Sequence, residues 1–86
     1  MSIPEYRERI TAADRRLLAA MNERLVLVRA LHEYKRNEGI PLRDPEREQQ
    51  LVVELQSANG GPLSSAGVAE LFRLVLDLTR REIHGG

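Results

Sequence analysis

The chain of 86 residues contains no cysteine, which excludes a disulfide framework and thiol chemistry. It has no tryptophan, and its aromatics are only Tyr6, Tyr34 and Phe72, which read as packing residues. No apolar run approaches the roughly 18 residues of a membrane span. An excess of one charge is also missing: 13 basic and 13 acidic residues cancel. The bases are scattered along the chain, so a nucleic-acid footprint is not supported, and any positive site must be local. There is no basic segment leading into an apolar stretch that would read as a secretory signal, so the expected setting is cytoplasmic. His32 and His84 are too far apart, with no patterned acids, to read as a metal pair; both are expected to be exposed and no metal site is expected.

Glycine and proline are absent from Glu5 to Glu38, and that gap defines the first element. Ser2-Ile3-Pro4-Glu5 is a capping-box pattern with proline in the first turn. Ile10, Leu17, Leu18, Met21, Leu25, Val28 and Leu31 then keep helical spacing, which predicts one helix over about residues 3 to 36. Asp44-Pro45 caps a second helix, expected over about 45 to 57 with Leu51, Val52 and Leu55 on its apolar face, ended by Ser57-Ala58-Asn59-Gly60-Gly61-Pro62. Ser64 or Ser65 caps a third, expected to about 84, with Val68, Leu71, Phe72, Val75, Leu76, Thr79 and Ile83 on one side and Gly85-Gly86 as a frayed tail. No segment alternates like a strand. The fold class is all-α, a single domain over residues 1–86.

The first helix is too long for its domain. At 1.5 Å per residue it spans roughly 50 Å, whereas a compact chain of this size has a radius of gyration near 12 Å and a diameter of roughly 30 Å. Two shorter helices cannot cover all of its apolar surface, but a second copy can. With two long helices antiparallel about a midpoint near residue 19, residue 7 of one lies opposite about residue 31 of the other.

Within that helix Ile3, Ile10, Leu17 and Leu31 recur every seven residues, and the position that breaks the series is Arg24. Lys35 follows eleven residues later, about 20° round the helix, with no acid between them on that face. In the antiparallel pair, Arg7 of the second copy joins Arg24 and Lys35. Asp44, Arg47 and Glu48 fall on one side of the first turn of the second helix. Guanidinium forks suit carboxylates and Glu48 can accept from a hydroxyl, so the set suits a small dianion carrying a hydroxyl. Each residue also has an ordinary reading: Arg24 paired with a partner's carboxylate, Lys35 at a helix C-terminus, Asp44 and Glu48 as cap and first-turn acid, Thr79 bonded back to a helix carbonyl.

Taken in order, Tyr6-Arg7-Glu8-Arg9-Ile10 with Asp14, Glu23-Arg24, Lys35, Pro41-Leu42-Arg43-Asp44-Pro45-Glu46-Arg47-Glu48, and Leu71-Phe72 through Thr79 resemble the all-helical, AroQ-type chorismate mutases. The resemblance covers essentially the whole chain. It implies a three-helix protomer in an intertwined antiparallel homodimer with two shared sites. It further implies the Claisen rearrangement of chorismate to prephenate in phenylalanine and tyrosine biosynthesis, with no cofactor. Arg7 of the neighbouring protomer and Arg24 would bind the two carboxylates, and Lys35 the ether oxygen and a carboxylate. Asp44 and Glu48 would engage the ring hydroxyl, with Arg47 ordering them. Thr79 stands where the family usually has a serine that contacts a carboxylate. Ile83 stands where the family commonly has glutamine or glutamate against the ether oxygen, so a donor is missing there; Glu82 is the candidate substitute. The same resemblance leaves room for an activating partner enzyme of the shikimate pathway. The rival readings are an isochorismate pyruvate-lyase or aminodeoxychorismate mutase on the same fold, and a noncatalytic helical dimerisation or regulatory module.

Overall fold

In the computed structural model, which describes residues 1–85 with side chains to Ile83, three α-helices occur in the order α1 (Ile3–Glu38), α2 (Pro45–Ala58) and α3 (Ser65–Arg80), followed by a π-helical turn over Arg81–Gly85. No strand occurs among the described residues. The exposure expected for the His84 side chain and the fraying expected at Gly86 lie outside the described residues.

Each helix begins where its sequence supplies a cap. Ser2 Oγ accepts from the Glu5 amide at 3.3 Å and donates to Glu5 Oε1 at 3.0 Å, Asp44 Oδ1 accepts from the Arg47 amide at 3.1 Å, and Ser64 Oγ accepts from the Gly67 amide at 2.9 Å. These contacts satisfy first-turn donors that have no partner inside the helix. α1 ends at Gly39, whose φ of 68° is left-handed. Its amide donates to Arg36 O at 3.3 Å and that of Ile40 to Lys35 O at 2.8 Å, closing the last turn. The pattern predicted α1 to stop near residue 36; this cap carries it to Glu38.

The larger departure is at the end of α3, where an α-helix was expected to about residue 84 and a π turn begins at Arg81. The widening follows directly after Thr79, whose hydroxyl donates to the Val75 carbonyl oxygen at 2.7 Å. Such back-bonds bend helices. The turn is also where the C-terminal segment comes against α1.

α2 packs on α3, and the buried residues among those described are Val68 and Thr79 of α3. α1 contributes none. Ile3, Ile10, Leu17 and Leu18 are each more than 60 % exposed. The molecule measures 55 × 25 × 19 Å with a radius of gyration of 16.0 Å, against about 12 Å for a compact chain of this length. Burying one such side chain is worth about 1.5–3 kcal/mol. Four of them forgo an amount comparable to the whole net stability of a typical small domain, about 5–15 kcal/mol. An exposed apolar face on this scale marks an interaction surface.

Candidate active site

α1, α2 and α3 enclose a cleft of about 520 Å³ beside the loop that joins α1 to α2. That volume suits a small-molecule site. Its apolar lining comes from Val28 and Leu31 of α1, Leu42 of the loop, Leu51 of α2 and Leu76 of α3. Its charged lining consists of four arginines, Arg24, Arg43, Arg47 and Arg80, against two carboxylates, Asp44 and Glu48. The excess cation makes the cleft receptive to an anion even though the chain as a whole is neutral.

Arg24, the residue that interrupts the apolar series of α1, reaches across to α3. Its Nη1 donates to Thr79 Oγ1 at 2.7 Å. Because the Thr79 O–H is spent on the Val75 carbonyl, the hydroxyl oxygen turns its lone pairs to the guanidinium. Thr79 is buried, so this contact fixes Arg24 from the protein side. Burial lowers the pKa of Arg24, and the negative charge of Glu48 opposes that shift by raising it. A guanidinium remains charged through any such shift, so Arg24 is a half-buried, oriented cation whose remaining N–H groups can serve a ligand.

Asp44 and Glu48 both line the cleft from the start of α2, one turn apart. The Asp44 carboxylate is partly engaged as the cap of α2. Arg47 also lines the cleft, but its Nη1 donates to Glu54 Oε1 at 3.3 Å, two turns along α2, and not to Asp44 or Glu48. Both partners in that pair are more than half exposed. Lys35 is half-buried at the C-terminal end of α1 and donates from Nζ to the Leu42 carbonyl oxygen at 3.4 Å. It is thereby tied to the loop that supplies Leu42, Arg43 and Asp44 to the cleft.

Four residues marked by the sequence stand outside the lining of the cleft: Lys35, held to the adjoining loop, and Arg7, Ile83 and Glu82. Arg7 lies at the other end of α1, 17 residues and about 25 Å from Arg24, in a shallow depression with Pro4, Glu8, Thr11 and Arg15. Ile83 is half-buried in the π turn and Glu82 is exposed; neither lines the cleft. Conversely, sequence reasoning passed over Arg80, whose Nη1 donates to Glu48 Oε1 at 3.4 Å. The available signal was that Arg80 follows Leu76 by four residues and so shares its face of α3. His32 was expected to be exposed; it is half-buried and lines the cleft from α1.

A long helix, two short ones and a cleft with more arginines than carboxylates define a class: an all-helical domain with a small-molecule cleft of net positive charge. Comparison with known proteins makes this class specific. Residues 6–83 match the family model for chorismate mutase type II. Two solved structures of chorismate mutase from Thermus thermophilus superpose on the chain. Form I gives a TM-score of 0.86 at 26% identity, covering 90% of this chain and 96% of that one. Form II gives 0.83 at 28% identity, covering 95% and 98%. A bifunctional chorismate mutase/prephenate dehydratase from Neisseria gonorrhoeae is 38% identical over 71 residues. That match covers 83% of this chain, which spans about a fifth of the relative's length, 19%. The chain belongs to the chorismate mutase type II family.

Proposed function

We propose that the chain is a chorismate mutase, converting chorismate to prephenate by an intramolecular Claisen rearrangement in aromatic amino acid biosynthesis. The observation that carries this reading is the oriented pair across the cleft: Arg24, fixed by Thr79 at 2.7 Å, facing the Glu48 carboxylate of α2. One side binds a substrate carboxylate and the other a ring hydroxyl. The reaction breaks the ether C–O bond and forms a C–C bond within one molecule, so it calls for no nucleophile, base or redox group. What the site supplies is confinement of the reactive diaxial conformer, which brings the bonding carbons together, and a cation where negative charge develops on the ether oxygen. Lys35 has that second role, and Asp44 shares the hydroxyl with Glu48.

The working unit in this reading is a homodimer, and the protein is expected in the cytoplasm. Two supports for the dimer are the uncovered apolar face of α1 and the position of Arg7. An antiparallel pairing centred near residue 19 carries Arg7 of a second copy to the level of Leu31, which lines the cleft. There it becomes the ligand for the second carboxylate.

An ultraviolet assay with chorismate, followed by product analysis, tests the activity. Loss of chorismate with prephenate as product is expected. Pyruvate released from isochorismate, or turnover of aminodeoxychorismate alone, would reassign the substrate within the same fold. A noncatalytic module predicts that a bicyclic dicarboxylate mimic of the transition state leaves the melting temperature unchanged, whereas a site that binds it raises Tm by mass action.

A further inference from the structure

One cation in the wall of the cleft has been given no task by the sequence pattern. Arg80 is the last residue of α3 before the π turn. Its guanidinium fork is divided between two carboxylates on two helices: Nη1 donates to Glu48 Oε1 of α2 at 3.4 Å, and Nη2 to Asp77 Oδ1 of α3 at 3.2 Å. The Arg80 side chain is 39% exposed and that of Glu48 30%, so the contact lies at the cleft edge and not at an outer surface. Asp77, one turn earlier on α3, restrains the guanidinium, and the guanidinium restrains Glu48. A glutamate on a first helical turn otherwise has three rotatable side-chain bonds, and a flexible carboxylate orders only at an entropic cost when a ligand arrives. With Oε1 engaged, Oε2 is the oxygen left to meet a ligand hydroxyl. Ion pairs this exposed contribute little to stability, which gives the Asp77–Arg80–Glu48 chain no strong purpose as a staple between helices.

We propose that Arg80 is a positioning residue of this site: anchored by Asp77, it holds the Glu48 carboxylate in the orientation that accepts the substrate's hydroxyl. The proposal rests on the reading of Glu48 as the hydroxyl acceptor. It states how a residue on α3 sets the specificity of a residue on α2.

The test is a double-mutant cycle on chorismate turnover by the full chain, using wild type, Arg80→Leu, Glu48→Gln and the double variant. Arg80→Leu is expected to lower kcat/KM at least tenfold while moving Tm by only a few degrees. In the Glu48→Gln background the same change is expected to cost less than twofold, because the group it orients is already altered. Arg80→Lys, a cation without the fork, is expected to recover part of the loss. Equal losses in both backgrounds, or wild-type kcat/KM for Arg80→Leu, would overturn the proposal. Should Arg80→Leu fail to fold, Arg80→Gln takes its place in the cycle with the same criteria. A wild-type chain that does not turn over chorismate overturns the activity reading and this proposal with it, whereas an active wild type with additive variants overturns the positioning role alone.

Discussion

In the proposed mechanism Lys35 and Thr79 have different tasks. Lys35 is held by one bond to the carbonyl of Leu42, a residue that lines the cleft, and in the proposed mechanism its charge serves the ether oxygen from there. Removing one preorganised donor from a developing oxyanion costs on the order of 3 kcal/mol in comparable enzymes. Lys35→Ala is therefore expected to lower turnover at least a hundredfold, with unchanged helical circular dichroism; near-normal kcat would refute the role. Thr79 acts through Arg24. A Thr79→Val change keeps the shape of the side chain and deletes the acceptor, leaving the half-buried guanidinium without its protein contact. Bonds to charged groups are worth about 1.5–3 kcal/mol, so kcat/KM is expected to fall about tenfold or more. Binding of a transition-state mimic, measured by calorimetry, should weaken in parallel.

At the scale of elements, the loop between α1 and α2 is the hinge of the design. It turns the chain so that Asp44 can cap α2 while Lys35 still reaches Leu42. Gly39 makes the exit from α1 at φ 68°, and a Cβ there would meet nothing within 4 Å. The cost of Gly39→Ala is therefore conformational and not steric, about 1 kcal/mol. A correspondingly lower urea midpoint with near-normal activity is the expected result. The π turn after α3 has the opposite character. It follows a side-chain bond, Thr79 to Val75, and lies against α1, two features that helix propensity alone does not register.

At the scale of the whole molecule, the exposed apolar face of α1 is what the proposed homodimer would cover. In one protomer that apolar series faces solvent, and Arg7 lies about 25 Å from the cleft it is assigned to. A shared site has a distinctive signature. Arg7→Ala and Lys35→Ala are each expected to be inactive alone. In a mixed dimer one site carries both defects and the other carries neither. Equal mixing after reversible dissociation should thus restore about a quarter of the wild-type sites, because half of randomly formed dimers are mixed and each has one intact site of two. No recovery, with mixed dimers demonstrated by mass, would place Arg7 outside the site.

Much of this was written in the order of residues. Capping residues at Ser2, Asp44 and Ser64 and the gap in glycine and proline fix where helices start and how far the first one runs, because those signals act within a turn or two of chain. Arg24 is legible as an anomaly for the same reason: a charge breaks a local apolar series. What the sequence did not show are the relations across elements. That Arg24 rests on Thr79, that Arg80 reaches Glu48 from another helix and that His32 is drawn into the cleft all depend on how α1, α2 and α3 meet. Periodicity places a residue on a face of its own helix. Only packing decides which partner that face meets, because a side chain of several rotatable bonds takes its direction from the charges and hydroxyls that the other helices bring within about 3 Å.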